Sequence, residues 1–176
     1  MKTIIVYTSQ TGFTEKYAKL LGERLKGEVL TLKEAKKKSK DYFDDADAII
    51  YGGWAMAGKV SGASWFTKRV DNWKGKKLGC FCVGASPIDA PDVAPCMDKV
   101  FNDEQKKFAK TFYCQGGLCY EKMSGPSRMA MKAFASMLAK RKNQTEDQKL
   151  MAKMVAQDYD ISDPKFLDPI VAFVEG

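Results

Sequence analysis

The residues best suited to chemistry lie near the N-terminus, in Thr8-Ser9-Gln10-Thr11-Gly12-Phe13-Thr14. This hydroxyl-rich turn separates an apolar run, Thr3 to Tyr7, from a segment of helical periodicity, Thr14 to Lys26. A helix start leaves backbone N–H groups unpaired and carries a partial positive charge, so a turn of this kind favours an anion. Ser9, Thr11 and Thr14 would add hydroxyl donors without bulk. The turn has no lysine and neither GxxxxGK[ST] nor GxGxxG spacing, which sets aside a Walker site and a dinucleotide fingerprint. Taken alone, it reads equally well as a plain strand-to-helix connection.

Other chemistries are removed by what the chain lacks. With no histidine among 176 residues, His-based zinc sites, Ser-His-Asp triads and Cys-His nucleophiles fall away together. Five cysteines, none in a CxxC pattern, suit reduced thiols. Cys80 and Cys82 share one side of an expected strand and read as core, while Cys114 and Cys119 flank a loop where a redox role stays open. No metal site is expected. The first apolar run is too short for a secretory h-region and no stretch is long enough to span a bilayer, so a cytoplasmic protein is expected. The net charge of +7 concentrates in Lys33, Lys36, Lys37, Lys38 and Lys40, and again in Lys132, Lys140, Arg141 and Lys142. These clusters fit a solvated face or an anionic partner. Because no aromatic residues interleave them as a nucleic-acid motif would require, nucleic acid is not an expected partner.

The elements that must position the turn follow from periodicity. The near-continuous apolar stretches at Lys2–Tyr7, Asp47–Tyr51 and Lys77–Val83 read as strands buried on both faces. Glu28–Leu32 and Lys110–Gln115 complete five. Helices are expected over Thr14–Lys26, with Thr14 as N-cap, along Trp65-Phe66-Arg69-Val70-Trp73, and over Pro95–Lys110. The lysine-rich stretch to Lys40 reads as an exposed connection. Alternating apolar strand, glycine loop and helix predicts one α/β domain, residues 1–176, with a parallel sheet and helices on both faces. One helical insertion, residues 118–162, interrupts that pattern before the last helix. It holds expected helices over Ser127–Lys142 and Thr145–Gln157, and six of the nine methionines. Ala130, Phe134, Met137 and Leu138 share a face for which packing against the sheet is the first expectation and docking the second. The last helix starts at Asp163-Pro164 or at Asp168-Pro169.

In an open parallel sheet, ligands sit beyond the carboxyl ends of the strands, where strand order reverses. Three loops leave such ends: Thr8–Thr14, Gly52–Gly58 and Gly84–Pro87. The first suits a phosphate. The other two read as flexible, mostly uncharged walls for a flat ring, with Trp54 as the stacking residue. A turn Thr-Ser-x-Thr-Gly-x-Thr after the first strand, Asp47-Ala48-Ile49-Ile50-Tyr51-Gly52-Gly53 and a glycine-led loop after the fourth resemble flavodoxins over essentially the whole chain. Gln115-Gly116-Gly117-Leu118-Cys119-Tyr120, the methionine-rich basic helix and Asp160-Ile161-Ser162-Asp163 are similar to the flavodoxin-domain family of menaquinone-dependent protoporphyrinogen oxidases.

That resemblance implies a flavodoxin-like three-layer sandwich with strand order 2-1-3-4-5 and FMN as cofactor. It implies FMN phosphate on Ser9, Gln10, Thr11, Gly12, Phe13 and Thr14. The ring would lie between Gly53, Trp54, Ala55, Met56 and Ala57 on one side and Gly84, Ala85, Ser86 and Pro87 on the other. The implied function is electron transfer from an organic donor, a porphyrinogen or similar, to a quinone-type or protein acceptor. A flavodoxin-type carrier without a substrate of its own is the alternative, and a flavin-free scaffold is a third reading. No side chain stands out as a catalyst; Tyr120, Lys122, Asp89 and Asp92 are candidates by position on the expected rim. Peripheral contact with the inner face of a membrane, through the basic insert, is a further expectation.

Overall fold

Strand β1, Thr3–Tyr7, is buried along its whole length, as its apolar run requires. The computed structural model describes residues 1–176, apart from the side chains of Lys40 and Asp147, so Lys40 in the first basic cluster lies outside the described side chains. Around β1 run α1 (Phe13–Leu25), β2 (Glu28–Thr31), α2 (Leu32–Ala35), β3 (Ala48–Met56), β4 (Lys59–Val60), α3 (Ala63–Thr67), β5 (Lys77–Gly84), α4 (Val93–Asp98) and β6 (Ala109–Gln115). Then follow β7 (Gly117–Leu118), α5 (Gly125–Ala139), α6 (Glu146–Val155), β8 (Tyr159–Asp160) and α7 (Asp168–Glu175). The main sheet has the order β2-β1-β3-β5-β6, all parallel, with β4 folded back antiparallel on β3. This is the expected 2-1-3-4-5 order of a flavodoxin-like fold.

Two cores cover the sheet. Tyr17, Ala18, Leu21 and Leu25 of α1 pack with Leu167, Ile170 and Val174 on one face. Phe43, Trp65, Phe66, Trp73 and Phe101 form an aromatic cluster on the other. The aromatic side departs from the expected long helices. After α3 the chain tightens into a 3-10 turn, Val70–Trp73, while the Arg69 guanidinium lies over the Trp65 ring and donates to the Trp65 carbonyl at 2.8 Å. The expected helix Pro95–Lys110 is only α4 plus a 3-10 turn at Gln105–Lys107. Asn102 Oδ1 accepts from the Gln105 amide at 2.9 Å, a local bond that competes with helix continuation. The Gln105 side chain then ties this turn to Thr67 O and Asp71 Oδ2.

Three smaller corrections apply. Thr14 is not the N-cap of α1; Gly12 caps it from a left-handed conformation, φ 99°, and Thr14 is buried in the first turn. The lysine-rich connection begins as a helix, because Thr31 and Glu34 form a reciprocal capping box at the start of α2. Both candidate starts of the last helix are used, Asp163-Pro164 opening a 3-10 turn that runs into α7.

The insert is a closed excursion. Its ends pair as β7 and β8, Gly117 with Asp160 and Leu118 with Tyr159. Its helices do not pack on the sheet as expected but build a core of their own: Leu118, Ala135 and Val155, joined by Met123, Met131, Leu138, Met151, Tyr159 and Ala85. Helix α5 turns Met131, Ala135 and Leu138 inward. Of the expected buried face only Leu138 is covered; Ala130, Phe134 and Met137 point out. Two apolar stripes were available on α5, and contact with α6 selects between them.

Candidate functional site

The Thr8–Thr14 turn follows the carboxyl end of β1, where the sheet order reverses between β1 and β3. The Thr8 amide donates to Gly52 O at 3.0 Å, which fixes the start of the turn to β3. Gly12 N–H donates to Ser9 Oγ at 3.1 Å, so Ser9 closes the turn on itself. Among the described residues, no protein group accepts from the amides of Gln10, Thr11, Phe13 or Thr14. Unpaired amides at the start of a 13-residue helix, with no carboxylate in the turn, are the donor set a phosphate monoester requires. Glu15, the nearest acid in sequence, is paired with Lys19 at 2.6 Å.

The second wall is not the flexible loop expected of Gly52–Gly58. It is a β-hairpin in which Ala55 pairs with Val60 and Met56 with Lys59. Ala57 (φ 49°) and Gly58 (φ 70°) make the left-handed turn that two-residue hairpins require. Gly53 is buried and Trp54 half-buried, whereas Ala55, Met56 and Ala57 are exposed at the tip. Trp54 opposes Val83 of β5, and its carbonyl accepts from Ser61 N at 2.9 Å.

The third wall, Gly84–Pro87, is fastened rather than flexible. Tyr113 OH donates to Ser86 O and Tyr159 OH to Ala85 O, each at 2.7 Å. Gly116 N donates to Gly84 O at 2.7 Å, and Gln115 Oε1 accepts from Ile88 N at 2.8 Å. A Cβ on Gly84 would lie 2.2 Å from the Tyr113 hydroxyl, so only glycine permits this approach. Burial raises both tyrosines, Tyr159 to about 12, so each remains a proton donor near neutral pH. Pro87 and Ile88 face solvent.

The rim candidates separate. Tyr120 OH is committed to Val155 O at 2.5 Å, and burial raises its pKa, so it is not free for proton transfer. Asp92 accepts from Ser86 Oγ at 3.1 Å beside the third wall, while Asp89 and Lys122 are exposed. Cys80, Cys82 and Cys114 are buried free thiols, and burial pushes Cys114 up to about 12, which makes it unreactive. Cys119 is half-buried. No group of three or more acidic or cysteine side chains among the described residues is placed to hold a metal. Two surface depressions, about 680 Å³ beside Asp47 and Lys76 and about 220 Å³ beside Phe101 and Lys110, lie at the opposite ends of the strands, away from the three walls.

Sequence reasoning missed the residues that hold the walls. Tyr113, Gln115 and Tyr159 act through distant carbonyls and amides, and no local pattern marks them. It also missed that Gln10 Nε2 donates to Ser124 Oγ and Ser127 Oγ of the insert, each at 3.3 Å. Ser124-Gly125-Pro126-Ser127 is legible as a helix start, but its contact with the first turn is tertiary.

A doubly wound α/β domain with an amide-lined, carboxylate-free turn at its switch point has the architecture that suits a mononucleotide. The chain belongs to the flavodoxin domain family, which it matches over residues 4–146, and its cofactor is FMN. No curated protein sequence matches it. Among solved structures it is similar to a flavodoxin, WrbA-like protein from Agrobacterium tumefaciens, with 19% identity over 88% of this chain and 94% of that one, at TM-score 0.50. It is also similar to Flavodoxin 1 from Bacillus cereus, with 12% identity over 88% and 97% and TM-score 0.46. At such identities the likeness concerns the fold alone. The unpaired turn amides fit the cofactor's phosphate, and the two uncharged walls fit its ring.

Proposed function

We propose that this flavoprotein is an oxidoreductase that takes electrons from an organic donor and passes them to a quinone-type acceptor. Bound FMN supplies the electron-carrying chemistry. The chain holds the phosphate through its turn amides and frames the ring between the Trp54 hairpin and the Gly84–Pro87 wall. The observation that carries the reading is this last wall, which offers Pro87 and Ile88 to solvent and no aromatic side chain. The Gly84–Pro87 side is therefore open to a flat organic molecule. The likeness of Gln115–Tyr120 and the insert to the protoporphyrinogen oxidases makes a porphyrinogen the donor to try first.

We place the acceptor at an anionic membrane surface. Met129, Phe134 and Met137 of α5 and Leu150 of α6 are exposed. Residues 122–145 carry six basic side chains and no acidic one. An apolar helix face with basic flanks suits the interface of an anionic bilayer.

Stopped-flow reduction of the loaded protein by porphyrinogen, followed by reoxidation with a soluble menaquinone analogue, tests the function. Turnover with both is expected. No turnover, with rapid reduction by a ferredoxin-type donor instead, would establish an electron carrier. Exposed Met56 at the hairpin tip and exposed Ile88 beside the Gly84–Pro87 wall are the apolar contacts such a carrier would use.

A further inference from the structure

The insert is hydrogen-bonded to the phosphate turn through Gln10, and the proton inventory there is uneven. Ser124 is the N-cap of α5, and its hydroxyl accepts from the Ser127 amide at 3.4 Å. The two serine hydroxyls bond each other at 3.0 Å, and each also accepts from Gln10 Nε2. Gln10 thus commits both amide hydrogens to the insert. The Ser124 hydroxyl hydrogen closes the serine pair, and the Ser127 hydroxyl hydrogen has no acceptor among the described residues. Next in the helix, Arg128 donates through Nη2 to Glu121 O at 2.9 Å and Met123 O at 3.4 Å. Its Nε is buried with no partner. The Gln10–serine cluster therefore stands where the insert meets a turn whose own amides are unpaired.

We infer that the start of α5 positions the cofactor's phosphate site. Ser127 is a positioning residue that acts through Gln10 to hold the turn in the conformation that receives phosphate. The Gln10–Ser127 bond spans 117 residues of chain, so no local propensity supplies it. The latch is reinforced from the far end of the insert, where Lys16 of α1 donates to Ser162 Oγ at 2.8 Å and pairs with Asp160 at 3.5 Å. Both ends of the excursion are thereby anchored to the turn and the helix that bind phosphate.

Two sites that share one latch are coupled reciprocally: whatever factor insert docking adds to FMN affinity, FMN adds to insert docking. The coupling runs through phosphate. Riboflavin, which carries the same ring without phosphate, engages the two ring walls and leaves the latch untouched.

The inference rests on FMN being the cofactor, and flavin-fluorescence titration separates the two. Ser127→Ala and Gln10→Ala are each expected to weaken FMN binding about tenfold, the equivalent of one to two net hydrogen bonds. Riboflavin affinity should change less than about twofold, well under the ~1 kcal/mol of one such bond. Ser127→Thr, which keeps the hydroxyl, should restore FMN affinity. A wild-type measurement runs in parallel: FMN should slow amide hydrogen exchange over residues 122–142, and riboflavin should not. Equal losses for both flavins, or equal protection by both, would overturn the inference. Wild-type protein that binds neither flavin would overturn the FMN assignment itself.

Discussion

At the scale of single residues, the site is built by groups that restrict rather than react. The Trp54 backbone is held by strand pairing, with Val83 opposite and Ser61 N on its carbonyl. Stacking on a flat ring contributes about 0.5–1.5 kcal/mol beyond buried area. Trp54→Ala is accordingly expected to weaken FMN and riboflavin alike by at least that amount, a signature distinct from the phosphate-selective loss at Ser127. Equal affinities for wild type and variant, measured by fluorescence quenching, would remove Trp54 from the ring wall. Gly62 shows the same restriction in the backbone: φ is 71°, and a Cβ there would meet the Tyr51 hydroxyl at 2.2 Å and Thr8 Cγ2 at 3.2 Å. One glycine thus lets the hairpin exit, the aromatic core and the phosphate turn approach each other.

At the scale of elements, the insert is separable. Its ends pair antiparallel, Ile161 N donates to Gly116 O at 2.7 Å, and its core is distinct from the two that cover the sheet. Replacing residues 119–158 by Asn-Gly would close β7 and β8 as a two-residue hairpin. The shortened chain is expected to unfold in one cooperative thermal transition by circular dichroism, because Tyr159 and the main cores remain. Its FMN affinity should fall at least as far as that of Ser127→Ala. A broad, non-cooperative melt would show that the sheet depends on the insert. Within the insert, Thr145 and Gln148 form a reciprocal capping box that starts α6.

At the scale of the whole molecule, charge and apolar surface coincide. The excess of seven positive charges is partly gathered around the outward face of α5, next to Met129 at 72% exposure and Met137 at 54%. Among the described residues, no helix is long and apolar enough to cross a membrane. Co-sedimentation with phosphatidylglycerol vesicles is expected, weakening as salt rises because the attraction is screened beyond about 10 Å at 0.1 M. Pure phosphatidylcholine vesicles should bind weakly. The double variant Phe134→Glu, Met137→Glu should lose vesicle binding and keep FMN affinity. A wild-type dimer in sedimentation that the same variant dissociates would instead make this face a contact between two copies of the chain.

The sequence by itself determined the layer order and the hydroxyl-rich turn at the switch point. Short continuous apolar runs ending at glycine- or hydroxyl-rich turns read as strands buried on both faces, and a turn between such a run and a helix leaves the first helical amides without intrahelical partners. Those signals are local, and so they were legible. The lengths of the aromatic-side helices were not, because Asn102 and Arg69 bond to backbone that helical periodicity does not reveal. The stiffness of the ring walls was also hidden: Gly52–Gly58 is a paired hairpin, and Gly84–Pro87 is fastened by Tyr113 and by Tyr159, the latter 74 residues from its acceptor. On α5, two apolar stripes compete in the sequence, and only the register of α6 decides that Met131 and Ala135 go inward while Phe134 faces out. Periodicity names the faces a helix has; the neighbour that arrives first in three dimensions chooses which one is buried.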